Sequence, residues 1–166
     1  MSAASPASGA LIREYRDTDA RAVRDCIVDL QDFERRIDER LRPGESIADE
    51  YLRYMLDRCR ETTGTILVAE IDGTVAGFVR ILARVPYEGL DEPSGDHALV
   101  ADLAVREPYR RRGMGAALLG AAEEYALMRG ASELRVGVLS ANRGAAELYR
   151  RVGFAPYLET LSKKLE

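Results

Sequence analysis

The stretch VREPYRRRGMGAALL, residues 105–119, collects residue types that bind anions. Arg110, Arg111 and Arg112 stand in a row, and Gly113 and Gly115 follow where an apolar run passes into a helical pattern. Glycines at a strand-to-helix turn let the chain bend sharply and let a ligand approach the backbone. The first N–H groups of the helix, around Met114, Gly115 and Ala116, have no internal acceptors and carry the positive end of its dipole. With guanidinium forks beside them, such a turn suits a pyrophosphate. A dinucleotide fingerprint is not complete, because Leu118 stands where G-x-G-x-x-G needs its third small residue. No Gly-Lys-Ser/Thr occurs, which excludes a Walker A loop. The chain has one histidine, His97, and two cysteines, Cys26 and Cys59, without Cys-x-x-Cys spacing, so no metal is expected. Chemistry must then rest on backbone groups, carboxylates, tyrosines and hydroxyls.

The elements that would position these groups follow from periodicity. ALIREYR (10–16) alternates as a strand, and Asp17 or Thr18 can cap a helix with Val23, Cys26, Ile27, Leu30, Phe33 and Ile37 on its apolar face. Pro43-Gly44 ends that helix. Ser46 and Asp49 resemble a capping box for a second helix carrying Tyr51, Leu52, Met55 and Cys59. TILVAE (65–70), Asp72-Gly73 and VAGFVRILAR (75–84) read as strand, tight turn and strand. A loop rich in proline and glycine precedes HALVADLAV (97–105), apolar enough for the interior of a sheet. A helix from 113 to 129, a strand over 133–139, a helix over 142–152 and a last strand over 154–165 complete the order β-α-α-β-β-β-α-β-α-β. This is an α/β domain with a mixed central sheet flanked by helices, not a regular βαβ alternation.

Length and composition fit one soluble domain over residues 10–166, behind a small, polar, disordered lead-in over 1–9. A net charge of −4 argues against a nucleic-acid binder despite the arginine triplet. No apolar run is long enough for a membrane span, and the start lacks the regions of a signal peptide. Thiols on apolar helix faces suit a reducing, cytoplasmic setting.

The arginine-glycine turn gains meaning from a second motif downstream. VLSANRGAAELYRRVGFAP (138–156) places Asn142 at the start of a helix and Tyr149 near its end. Together the two resemble the GNAT superfamily of acetyl-CoA-dependent N-acetyltransferases. The family motif Q/R-x-x-G-x-G/A matches Arg110, Gly113 and Gly115. The strand VADLAV resembles the one that precedes it, and the N…A..LY...GF pattern matches Asn142, Ala146, Leu148, Tyr149, Gly153 and Phe154. The likeness is densest over 97–157. Relatives often have glycine at the position of Arg111 and a proline one place before Pro108, so the turn is expected to differ locally.

The resemblance implies the GNAT acyl-CoA N-acyltransferase fold and acetyl transfer from acetyl-CoA directly to a primary amine. It implies a cofactor site at Arg110, Arg111, Arg112, Gly113, Met114, Gly115, Ala116 and Asn142, with a backbone N–H of Leu103, Ala104 or Val105 on the thioester carbonyl. It makes Tyr149, also at the cofactor, the proton donor to the departing thiolate, with a packed core aromatic as the alternative. An amine near the pKa of lysine is neutral in about one molecule in a few thousand at neutral pH, so a base is useful. Asp102, interrupting an apolar strand, is the first candidate; an aspartate bonded to a neighbouring loop is the equal alternative. His97 lies too early on its strand. Glu34, Tyr51 and Tyr87 are expected at the acceptor side. The many acids between Asp29 and Glu50 favour a cationic acceptor: a polyamine, an aminoglycoside, an amino acid or a peptide. Interspersed arginines leave open a merely solvated face. A non-catalytic acetyl-CoA sensor or structural module is the alternative function, and a homodimer through the C-terminal strands is a family expectation.

Overall fold

The computed structural model of the protein describes residues 9–165. All of the expected lead-in except Gly9 lies outside them. Strand β1 spans Leu11–Glu14, helix α1 Ala20–Ile37 and helix α2 Ala48–Glu61. Strands β2 (Thr65–Ile71), β3 (Thr74–Pro86) and β4 (Asp96–Val105) follow, then helix α3 (Met114–Met128), strand β5 (Leu134–Val136) and helix α4 (Arg143–Arg151). The five strands form one sheet in sequence order, antiparallel from β1 to β4, with β5 parallel to β4. Asp72 and Gly73 both take positive φ, 49° and 74°, the geometry of a two-residue hairpin whose twist matches its strands.

Each face of the sheet is covered. α3, apolar nearly all round, packs Leu118, Leu119 and Ala122 against Val79, Ile81 and Val100. The apolar stripes of α1 and α2 pack Val23, Cys26, Met55 and Cys59 against Ile66, Val68 and Phe78 on the other side. Arg13 ties the first strands to the start of α1, donating to Asp19 at 2.7 Å and to Glu70 at 2.6 Å. Two caps differ from expectation. A single tight turn over Asp17–Asp19 precedes α1, and the Asp19 carboxylate accepts from the Arg16 N–H instead of capping the helix. The Ser46 hydroxyl donates to the Pro43 carbonyl and Asp49 pairs with Arg24, so no capping box forms.

The last strand expected over 154–165 is absent. Phe154 donates back to Tyr149 at 3.0 Å, and beyond it the segment through Leu165 has no regular secondary structure, is exposed and is unpaired. A strand needs a ladder partner, and this segment pairs with no other described residue. The order observed is β-α-α-β-β-β-α-β-α.

Candidate active site

β4 and β5 pair in parallel from Ala98 to Val100 and from Leu134 to Val136, and no pairing continues beyond these residues. From Ala101 onward the β5 side of β4 is unpaired, so its outward backbone groups have no ladder partner. A cavity of about 1090 Å³ opens in this split. Its floor is β4 from Val100 to Val105, with Val136–Leu139 on the opposite lip. The start of α3 closes one end, α4 lines a side, and α1 with Tyr51 of α2 forms the far wall. The fold itself makes the site: two parallel strands diverge, and the exposed edge of the longer one becomes available to an amide-bearing ligand.

At the α3 end the arginine-glycine turn takes the form the sequence asks for. Gly113 sits at φ 77°, a left-handed conformation, and precedes the helix with no side-chain cap. The first N–H groups of α3 therefore meet no helical or capping acceptor, and Met114, Gly115 and Ala116 line the cavity. Gly115 is small for a second reason: a Cβ there would lie 2.8 Å from Leu148 Cδ2, so the glycine lets α4 approach α3. Arg111 has φ 62°, the left-handed region, at the position where relatives often have glycine. Arg110 donates from Nε to the Val105 carbonyl at 2.8 Å, which anchors the turn to the end of β4 and leaves its other nitrogens available. Arg110 and Arg111 line the cavity, whereas Arg112 does not. With Arg111 in the left-handed region, the turn does not aim all three side chains the same way.

The floor and side wall bring together most of the other expected residues. Leu103, Ala104 and Val105 face the cavity, as do Asn142 and Tyr149. Asn142 also caps α4, its Oδ1 accepting from the Ala145 N–H at 3.2 Å. Tyr149 stacks edge-on against Phe154 with ring centroids 5.9 Å apart. Its hydroxyl is pushed up to about 12, chiefly by burial and further by the negative charges of Glu34 and Asp102. The group stays protonated at neutral pH.

Asp102 lines the cavity, but its carboxylate is engaged. Oδ2 accepts from Arg80 Nε at 2.5 Å and Oδ1 from the Tyr51 hydroxyl at 2.8 Å, and both charged side chains are buried. Arg80 also donates to the Tyr51 oxygen at 3.3 Å and lies over the rings of Tyr51 and Tyr54. Neither expected role, a base facing substrate or a carboxylate bonded to a loop, describes an aspartate locked to the next strand. Arg80 was the residue that sequence reasoning missed, and its signal was an arginine flanked on both sides by apolar residues in VAGFVRILA. Tyr51 reaches the cavity wall through this bond and has its hydroxyl raised by burial and by Asp102.

Of the eight acids between Asp29 and Glu50, two line the cavity, Asp29 and Glu34. Asp32 accepts from the Gly44 N–H, Asp38 pairs with Arg40, and Glu45 and Asp49 pair with Arg24. Glu34 is partly buried on the α1 wall and makes no hydrogen bond or ion pair among the described residues. Burial, with Asp102 adding to it, raises its carboxyl above the usual range. The apolar stripe of α1 could have located both acids, because Asp29 and Glu34 flank Leu30 and Phe33 on the helical repeat.

Tyr87 does not line the cavity. Its hydroxyl donates to Glu133 at 2.5 Å and its ring stacks on His97, 4.9 Å away. That cluster stands at the start of β4, the opposite end of the strand from the split, which removes Tyr87 from the acceptor wall. His97 is buried there, and desolvation, followed by the Arg135 charge, lowers its pKa. Cys26 and Cys59 are buried thiols pushed up to about 12 and about 11 by desolvation, too high for a nucleophile. Among the described residues no group of three or more His, Cys, Asp or Glu side chains is placed to hold a metal ion.

Comparison with known proteins places this geometry. The family model "Acetyltransferase (GNAT) family" matches residues 28–154. The thialysine N-epsilon-acetyltransferase of Bos taurus is 30% identical over 147 residues, which cover 86% of this chain and 82% of that protein. Among solved structures, a point mutant of the BH1408 protein of Bacillus halodurans superposes with a TM-score of 0.81 at 17% identity, over 94% of this chain and 99% of that one. The aminoglycoside N-acetyltransferase AAC(6')-Iy, solved with CoA, gives 0.67 at 17% identity, over 94% and 99%. The chain belongs to the GNAT acetyltransferase family. It is an N-acetyltransferase, with acetyl-CoA as co-substrate and an amine as acceptor.

Proposed function

We propose that the protein acetylates a primary amine of a cationic small molecule or peptide, of the polyamine, aminoglycoside or amino-acid kind. The observation that carries this reading is the pair of carboxylates, Asp29 and Glu34, on the wall facing the split edge of β4. They lie across the cavity from the start of α3, where the cations and helix N–H groups suit an anion. Pyrophosphate would rest on Arg110, Arg111 and the α3 N-terminus, and pantetheine would run along β4 with Asn142 beside it. A backbone N–H among Leu103, Ala104 and Val105 would polarise the thioester carbonyl, and Tyr149 would protonate the leaving sulfur. Thialysine and aminoglycosides, named for the relatives above, carry several amines and support the cationic class.

The test is acetyl-CoA-dependent thiol release with spermidine, neamine, lysine and a short peptide, beside calorimetric titration of acetyl-CoA. Turnover with one or more of these amines at low salt, weakening as salt screens the carboxylates, is the expected result. Coenzyme binding without turnover of any of them would overturn the cationic reading.

We also infer that the protein works as a homodimer, through the segment after Phe154, and in the cytoplasm, where its two thiols stay reduced.

A further inference from the structure

The amine must lose a proton before it attacks. Four carboxylates line the cavity, Asp29, Glu34, Asp102 and Glu147, and of these Glu34 and Asp102, which feel each other's charge, stand on opposite terms. Asp102 is committed to Arg80 and Tyr51. If Asp102 took up a proton, Arg80 would be left as an uncompensated buried charge, and its Nη1 already lacks a partner. Glu34 has no such commitment. It projects from α1 into the same cavity, part-buried, with no cation paired to it among the described residues.

We propose that Glu34, and not Asp102, is the general base for the acceptor amine, while Asp102 is a positioning residue whose charge is held in place by Arg80 and Tyr51. This rests on the cationic-amine reading above. The ammonium is drawn to the Glu34 carboxylate and gives it one proton, directly or through one water. The neutral nitrogen then forms its bond to the thioester carbon. The C–S bond breaks, and sulfur leaves with its electron pair and takes the Tyr149 hydroxyl proton. The second proton of the amine passes through water to restore the Tyr149 phenolate. One ammonium and one thioester thus give one amide, one thiol and one proton, which Glu34 releases to solvent.

Proton uptake by Glu34 is favoured by its burial and by the nearby Asp102 charge, the two causes that raise it. From the other walls, Tyr51 on α2, Tyr149 and Arg151 on α4, and Arg106 after β4 face the cavity. Glu147 on α4 also lines it, and on Glu34's own helix the titratable neighbours at the cavity are Cys26 and Asp29. The active form is the ionised one, so activity is lost as pH falls through the raised pKa of Glu34.

The experiment measures kcat/KM from pH 5 to 9 for wild-type protein, Glu34→Gln and Glu34→Asp with whichever amine of the panel wild-type protein turns over. Glu34→Gln should lower kcat about 100-fold near neutral pH, flatten the acid limb and leave acetyl-CoA binding unchanged. Glu34→Asp should recover part of the rate and keep the limb. A Glu34→Gln enzyme that keeps the acid limb, or loses only KM, overturns the assignment while the cationic-amine reading stands. If wild-type protein turns over none of the amines, that reading falls and this one falls with it.

Discussion

At the scale of single residues, two carboxylates, Glu34 and Asp102, share one cavity and are held on different terms. Asp102 interrupts an apolar strand at the acetyl end of the site, as a base would, yet its role is fixed by Arg80 on the neighbouring strand. Registry decides this, because Arg80 stands directly opposite Asp102 in the β3–β4 ladder. The two acids should therefore fail differently. Asp102→Asn removes half of a buried pair and should cost about 3–5 kcal/mol in urea unfolding. In whatever fraction remains folded, it should move the acid limb of activity to lower pH, because a charge that raises Glu34 is gone. Glu34→Gln should change unfolding by less than about 0.5 kcal/mol. Tyr149→Phe should lower kcat by about 100-fold with acetyl-CoA affinity preserved; an unchanged rate would assign the donor role to another group.

At the scale of elements, the arginine-glycine turn was legible because its chemistry is local. A helix start, two glycines and two of the three cations read the same in sequence and in space. Helices α1 and α2, the hairpin at Asp72-Gly73 and the interior strand β4 were legible for the same reason, since their signals are periodicity and turn chemistry. What could not be read was any feature set by a partner far along the chain: the Arg80 pairing of Asp102, the Leu148 contact that keeps Gly115 small, and Tyr87 facing Glu133. The glycine that relatives often carry at position 111 now has a conformational meaning. Arg111 at φ 62° bears the cost of a left-handed L-residue, about 1–2 kcal/mol. Arg111→Gly should relieve part of that cost and raise the melting temperature by about 3 °C. The same change removes a guanidinium from the cavity rim, so acetyl-CoA affinity should fall, with the loss largest at low salt. A variant that is no more stable than wild type would show that the side chain repays its strain through contacts of its own.

At the scale of the whole molecule, the missing last strand becomes an argument about a second copy. Beyond Phe154 eleven residues, Ala155 to Leu165, carry no regular secondary structure, and fully extended they would reach about 35 Å. Tyr157, Leu158, Leu161 and Leu165 are 70%, 83%, 85% and 82% exposed, and the contact that holds the segment to the domain is the Arg135 guanidinium over the Tyr157 ring at 4.4 Å. The residues have strand character, but the segment meets no edge within its own chain. Backbone groups without a ladder and four large apolar side chains in water support the homodimer inferred above. The outer edge of β5 is unpaired within the same domain, so two copies can each supply the strand the other lacks, a closed two-fold exchange. Wild-type protein should therefore sediment as a dimer at micromolar concentration, and Leu158→Asp with Leu161→Asp should sediment as a monomer. Because the lip of the cavity continues directly from β5 at Gly137–Leu139, the monomeric variant should also bind acetyl-CoA more weakly. A wild-type monomer under these conditions would refute the exchange, and a variant monomer with unaltered coenzyme affinity would separate assembly from the site.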